Sequence, residues 1–98
     1  MAAPRILLCA ECGPTVGGGH VMRCLTLAGA LAARGAACAF VAPLMVRGLI
    51  ETFGPGGIAT LDALDATVEQ VRAIADAYNP DWLVIDHYRL TIADERAL

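Results

Sequence analysis

Short apolar runs alternate with longer amphipathic segments along this 98-residue chain. The short runs have the length of buried strands, and the longer segments repeat their apolar residues at steps of three and four, as helices do. Such alternation is typical of a parallel sheet with helices on both faces. The predicted strands are residues 5–10, 38–42, 58–61 and 82–86, and the predicted helices are residues 20–33, 44–53 and 65–78 and a segment from Thr91 onward.

The direction of the crossovers predicts the strand order. Right-handed connections arrange these elements as a Rossmann-like α/β sheet in the order 3-2-1-4. Ligands of such sheets bind beyond the carboxyl ends of the strands, where the strand order reverses. That point lies between the first and fourth strands, and the loops that meet there carry both histidines of the chain, His20 and His87.

Composition excludes several classes of protein. Hydrophobic residues make up 57% of the chain and charged residues 17%, which is not the composition of a disordered protein. Lysine and serine do not occur, so the chain has no serine nucleophile and no Schiff-base lysine. The net charge of −3 argues against a nucleic-acid partner. The longest apolar helix, residues 21–33, is shorter than the roughly 20 residues that span a bilayer, so we expect a cytoplasmic protein with no membrane partner.

A run of glycines precedes the first predicted helix. Gly17, Gly18 and Gly19 let the backbone approach a ligand closely, and the helix N-terminus behind them favours an anion. The run is neither a Walker A loop nor the dinucleotide fingerprint, since Met22 stands where the third glycine of that fingerprint belongs. We therefore predict a substrate-binding loop, with a plain tight turn as the alternative.

His20 and Arg23 form the second candidate feature. His20 lies in the first helical turn, where the positive end of the helix dipole disfavours imidazolium and leaves a neutral base. Arg23 follows three residues later along the same helix edge. A neutral base beside a cation suits activation of water next to an anionic leaving group. The alternative is an ordinary polar helix start.

Asp86, His87 and Tyr88 close the fourth buried strand. A charged residue at such a position needs partners. We expect Asp86 to bond the amides of the glycine loop or to orient a histidine, and Tyr88 to contact a ligand. The alternative for Asp86 and His87 is that they only satisfy the polar groups of their own loop.

The cysteines are of a residue type that is compatible with a metal site. Cys9 and Cys12 precede His20 and Cys24, a set that zinc could use. Cys9, however, falls inside an apolar strand run, and Cys24 falls on the inward face of a helix. We therefore predict small core residues and no metal.

Two strings of this sequence resemble a known family. Residues 17–28 read Gly-Gly-Gly-His-Val-Met-Arg-Cys-Leu-Thr-Leu-Ala, and residues 81–88 read Asp-Trp-Leu-Val-Ile-Asp-His-Tyr. In sequence, order and spacing they are similar to the N-terminal signature of the UDP-sugar hydrolases of pseudaminic acid biosynthesis and of the related spore-coat polysaccharide proteins. The family's Arg-Ala-Asp after the first strand is replaced here by Cys9, Ala10 and Glu11.

The resemblance implies a GT-B-like fold, with two Rossmann-like domains around a cleft. Residues 1–98 would be a partial N-terminal domain, without the C-terminal nucleotide-binding domain. The implied reaction removes UDP from UDP-2,4-diacetamido-2,4,6-trideoxy-β-L-altropyranose by attack of water at the anomeric carbon, with inversion. The resemblance places the base at His20 and the active-site tyrosine at Tyr88, and it implies no metal and no cofactor.

Two other functions remain open from the sequence. One is a GT-B-type glycosyltransferase domain that passes the sugar to an acceptor, and the other is a non-catalytic fragment of the same fold. In the predicted strand order, the fourth strand exposes an unpaired apolar edge. We therefore expect self-association through that edge.

Overall fold

The computed structural model of the chain describes residues 3–10, 18–54, 58–63 and 67–86. Within these ranges the strands and helices are β1 (Arg5–Ala10), α1 (Gly19–Ala33), β2 (Ala37–Ala42), α2 (Leu44–Phe53), β3 (Ala59–Asp62), α3 (Val68–Tyr78) and β4 (Trp82–Asp86). The strands are parallel and lie in the order β3-β2-β1-β4, which confirms the predicted α/β fold with a Rossmann-like sheet. None of the helices in these ranges has the length and apolar content of a membrane span. The helix predicted from Thr91 lies outside the described residues.

Most element bounds agree with the prediction, and β1, α2 and β4 agree at both ends. The clearest difference is α3, which begins at Val68 rather than at residue 65. Thr67 has an extended backbone, and its hydroxyl accepts a hydrogen bond from the Gln70 amide at 3.3 Å. An N-cap of this kind satisfies a donor of the first turn and fixes where the helix begins.

The sheet separates two apolar clusters. Side chains alternate across a strand, so consecutive residues of β1 and β2 point to opposite faces. One face of the sheet packs against α1 and α2, and the other packs against α3. The apolar periodicity of α1 predicts that Leu31 and Ala32 both face the sheet, but Ala32 is exposed while Leu31 packs against the cluster. Consecutive helix residues are about 100° apart around the axis, which turns Ala32 away from the sheet.

Contacts at the amino-terminal edge of the sheet hold β4 in register with β1. Asn79 adopts a left-handed conformation (φ 55°) that ends α3. Asp81 then accepts a hydrogen bond from the Arg5 amide through its carboxylate at 2.8 Å and donates its own amide to the Arg5 carbonyl at 2.7 Å. The resulting register pairs Ala10 with Asp86 at the opposite edge. A one-residue slip would turn Asp86 to the other face.

Within the described residues, β4 is hydrogen-bonded to another strand on one side only. Trp82, which begins β4, is 69% exposed. Beside it runs a groove of about 370 Å³ whose lining includes Ile6, Leu31 and Val84. A strand edge with no partner among the described residues, beside an exposed tryptophan and an apolar groove, is a surface on which another chain can pair.

We expect the chain to self-associate through β4, and Trp82→Lys to weaken this association by about tenfold or more, since a charged side chain at a strand edge blocks pairing. Sedimentation velocity over a concentration series measures the effect. Phe53→Lys is the matched control, because it removes another exposed aromatic side chain, on α2 and away from this edge. A wild-type chain that is monomeric throughout, or an equal loss in both variants, would contradict the expectation.

Candidate active site

The carboxyl ends of β1 and β4 form one side of the candidate site. Ala10 and Asp86 are register partners there, so their side chains lie on the same face of the sheet. The first turn of α1 lies over this face, since residues of that turn join the cluster that contains Ala10. β1 has β2 on one side and β4 on the other, which makes this the reversal of strand order that the sequence predicted. The topology thus brings His20 of α1 to Asp86 of β4.

His20 and Asp86 are in direct contact. The Nδ1 atom of His20 lies 2.5 Å from Oδ1 of Asp86, and His20 is only 6% exposed. An ionised carboxylate can only accept hydrogen bonds, so Nδ1 carries the proton and donates it. The neutral ring then has its lone pair on Nε2. Asp86 therefore sets both the tautomer and the orientation of the imidazole, which is the second of the two roles expected for it.

Arg23 holds the same carboxylate. Its Nη2 lies 2.8 Å from Oδ1 and 2.7 Å from Oδ2 of Asp86, and its Nε donates to Oδ2 at 3.0 Å. Charge-assisted contacts to both oxygens of a carboxylate are among the strongest hydrogen bonds in proteins. The Nη2 atom also lies 3.0 Å from Nδ1 of His20. In the tautomer described above both nitrogens are donors, so they share Oδ1 rather than bond to each other.

The surroundings of Asp86 keep it ionised. Burial acts to raise the pKa of this carboxyl. Hydrogen bonds from Arg23 and His20, together with the favourable electrostatic interaction of both side chains with the carboxylate, outweigh burial and hold the pKa of Asp86 below its ordinary value. Asp86 is therefore a carboxylate at neutral pH, as its role as acceptor requires.

Cys24 lies near Arg23 and Asp86, but its thiol is unreactive at neutral pH. Burial and then the charge of Asp86 raise the pKa of the Cys24 thiol to about 11, and the charge of Arg23 opposes them only in part. Burial also raises the pKa of Cys38. Thiols of this kind stay protonated at neutral pH and are poor nucleophiles and metal ligands. Their buried positions agree with the predicted core role, whereas Cys12 lies outside the described residues.

Within residues 3–10, 18–54, 58–63 and 67–86, no group of three or more His, Cys, Asp or Glu side chains is arranged to hold a metal ion.

Two of the three predicted glycines lie in the described region, and they differ in role. The Gly18 carbonyl accepts the Met22 amide at 3.0 Å, and a Cβ at Gly18 would come 3.0 Å from a methyl carbon of Leu49 on α2. Gly18 therefore lets α1 approach α2 closely. A Cβ at Gly19 would meet no atom of the described residues within 4 Å. Gly19 begins α1, and the amide groups of a first helical turn have no partner within the helix.

Of the predicted site residues, the structure brings together Gly19, His20, Arg23 and Asp86. Gly17, His87 and Tyr88 lie outside the described residues. The contact between Arg23 and Asp86 was not predicted from the sequence. The spacing could have indicated it, because Arg23 is three residues from His20 on the helix and the predicted sheet places Asp86 beside the start of that helix.

Comparisons of the chain with models of protein families, with curated proteins and with solved structures found no match.

Proposed function

We propose that this chain is the N-terminal part of a UDP-sugar hydrolase with a GT-B-like fold, in which His20 is the general base. The substrate class is a UDP-linked 2,4-diacetamido-2,4,6-trideoxy sugar. The observation that carries the proposal is the 2.5 Å contact between His20 Nδ1 and Asp86 Oδ1, at the reversal of strand order where such folds bind ligands. The resemblance of residues 17–28 and 81–88 to the hydrolase signature supplies the choice of substrate.

The reaction follows from the protonation state of His20. Nε2 takes a proton from water while the water oxygen forms a bond to the anomeric carbon. The bond between that carbon and the UDP oxygen breaks, and UDP leaves with the electron pair. The imidazolium that results is stabilised by the Asp86 carboxylate. Because water enters opposite the leaving group, the free sugar has the inverted configuration, and a diphosphate is stable enough as an anion to leave without a proton.

The charge around the first turn of α1 suits an anionic leaving group. The helix N-terminus at Gly19 presents partial positive charge, which favours phosphate oxygens. Residues 1–49 carry four arginines and one acid, whereas residues 50–98 carry three arginines and nine acids. Of these charges, that of Arg23 lies at this turn and is balanced by Asp86, so the preference of the turn for an anion rests on the helix N-terminus.

A product analysis distinguishes the proposed hydrolase from its two alternatives. The product of the complete reading frame is incubated with the UDP-sugar, with and without an alcohol acceptor, and the products are followed by proton NMR. We expect UDP and a free sugar that first appears as the inverted anomer. A glycoside of the acceptor would instead support a glycosyltransferase, and the absence of any turnover would support a non-catalytic fragment.

A further inference from the structure

We propose that Arg23 is a positioning residue that acts on His20 through Asp86, rather than a ligand of the substrate phosphates. The sequence alone places Arg23 beside the leaving group, and the structure gives its guanidinium a different partner. The effect of Arg23 on catalysis rests on the proposed function. The effect of Arg23 on the state of the His20 ring does not depend on that function.

The geometry of the carboxylate carries the inference. Arg23 contacts both Asp86 oxygens between 2.7 and 3.0 Å, which resists rotation of the carboxylate about its last side-chain bond. Oδ1, one of the two oxygens held in this way, is also the acceptor for His20 Nδ1. The direction in which the imidazole points is therefore set by a carboxylate that Arg23 orients. Lysine offers a single point charge and cannot reproduce a planar contact of this kind.

The charges around His20 determine the direction in which loss of Arg23 shifts the pH dependence of the base. Asp86 approaches from β4, and Arg23 and Cys24 are on α1. Cys24 is a neutral thiol, so among the described residues the ionised neighbours of His20 are the Asp86 carboxylate and the Arg23 guanidinium, whose charges are opposite. Removing Arg23 takes away a cation 3.0 Å from Nδ1 and leaves the carboxylate uncompensated. Both changes favour the imidazolium, so a base that must be neutral becomes active only at higher pH.

The test compares Arg23→Gln with Arg23→Lys, and uses Arg34→Gln at the other end of α1 as the matched control. In Arg23→Gln we expect the acidic limb of the pH profile of kcat/KM to move up by about one pH unit. We expect the affinity for UDP to stay within about threefold of the wild-type value, a change of less than 1 kcal/mol. Arg23→Lys should recover part of the shift, and Arg34→Gln should show none.

A measurement without turnover accompanies the kinetics. In the 98-residue chain, nitrogen NMR of the histidine ring, assigned with His20→Gln, should show the tautomer with its proton on Nδ1. In Arg23→Gln the ring signals should move toward those of imidazolium at a given pH, and carboxyl carbon NMR should show a higher pKa for Asp86.

Three outcomes separate the possibilities. An unmoved acidic limb together with unchanged ring signals overturns the inference. Weaker UDP binding with an unmoved limb also overturns it, because Arg23 would then be a ligand of the diphosphate. If the ring signals change in Arg23→Gln but the wild-type protein hydrolyses no UDP-sugar, the proposed function fails while the positioning role of Arg23 stands.

Discussion

His20→Gln is expected to lower the rate of UDP release by about 100- to 10,000-fold, the range that a well-placed general base contributes. The glutamine amide has no basic lone pair, so the attacking water keeps its proton until late in the reaction. Binding of the nucleotide should change little, because His20 meets Asp86 and not the uridine or the phosphates in this account. The assay follows UDP release by the product of the complete reading frame, with UDP affinity measured by calorimetry.

Controls separate this chemistry from damage to the fold. His20 is buried, so the thermal melting of His20→Gln and of His20→Asn is compared with that of the wild-type protein. Arg34→Gln, at the C-cap of the same helix, should release UDP at the wild-type rate. Asp86→Asn should also lose most of the activity, since an amide can donate to Nδ1 and so favour the wrong tautomer. Undiminished turnover in the folded His20 variants would contradict the assignment of the base.

Phe40→Ala is expected to destabilise the chain by about 3–5 kcal/mol, the usual cost of emptying a buried aromatic site. Phe40 lies in β2 with no exposed surface, inside the cluster that α1 and α2 cover. A domain of this size has a total stability of about 5–15 kcal/mol, so the loss is a large share of it. Urea unfolding followed by circular dichroism should therefore show a strongly lowered midpoint, at protein concentrations below those of self-association.

The chain provides a matched control for this substitution. Phe53, at the end of α2, is 60% exposed, and Phe53→Ala removes the same ring from the surface. Its effect should stay within about 0.5 kcal/mol, as for most surface changes. Similar losses in the two variants would mean that the cluster around Phe40 does not dominate the stability of the fold.

The alternation of apolar runs and amphipathic segments was sufficient to predict the sheet. β1 has the predicted bounds because a compact apolar run such as residues 5–10 has one stable location, the middle of a covered sheet. β4 also has the predicted bounds, and it pairs with β1 along its whole length. The handedness of the crossovers then left one order of strands. It follows from topology alone that His20 and Asp86 come near each other, and this was the part of the site that could be predicted.

The exact start of α3 and the partner of Arg23 could not be predicted from the sequence, because each depends on which of several side chains makes a local contact. The start of α3 depends on which polar residue caps it, and the cap is Thr67, two residues after the position where the periodic pattern begins. The bond between Arg23 and Asp86 depends on how far α1 is rotated about its axis above the sheet, which packing decides and the sequence pattern does not. Spacing along a helix shows that Arg23 shares an edge with His20, and it leaves open which anion the guanidinium meets.

The most direct test of the account is hydrolysis of the UDP-sugar in water labelled with ¹⁸O, with the released UDP weighed by mass spectrometry. If His20 directs water to the anomeric carbon, the bond that breaks joins this carbon to the UDP oxygen, and UDP retains its ordinary mass. UDP that gains one ¹⁸O atom would mean that water attacks phosphorus, and this result would contradict the proposed role of His20.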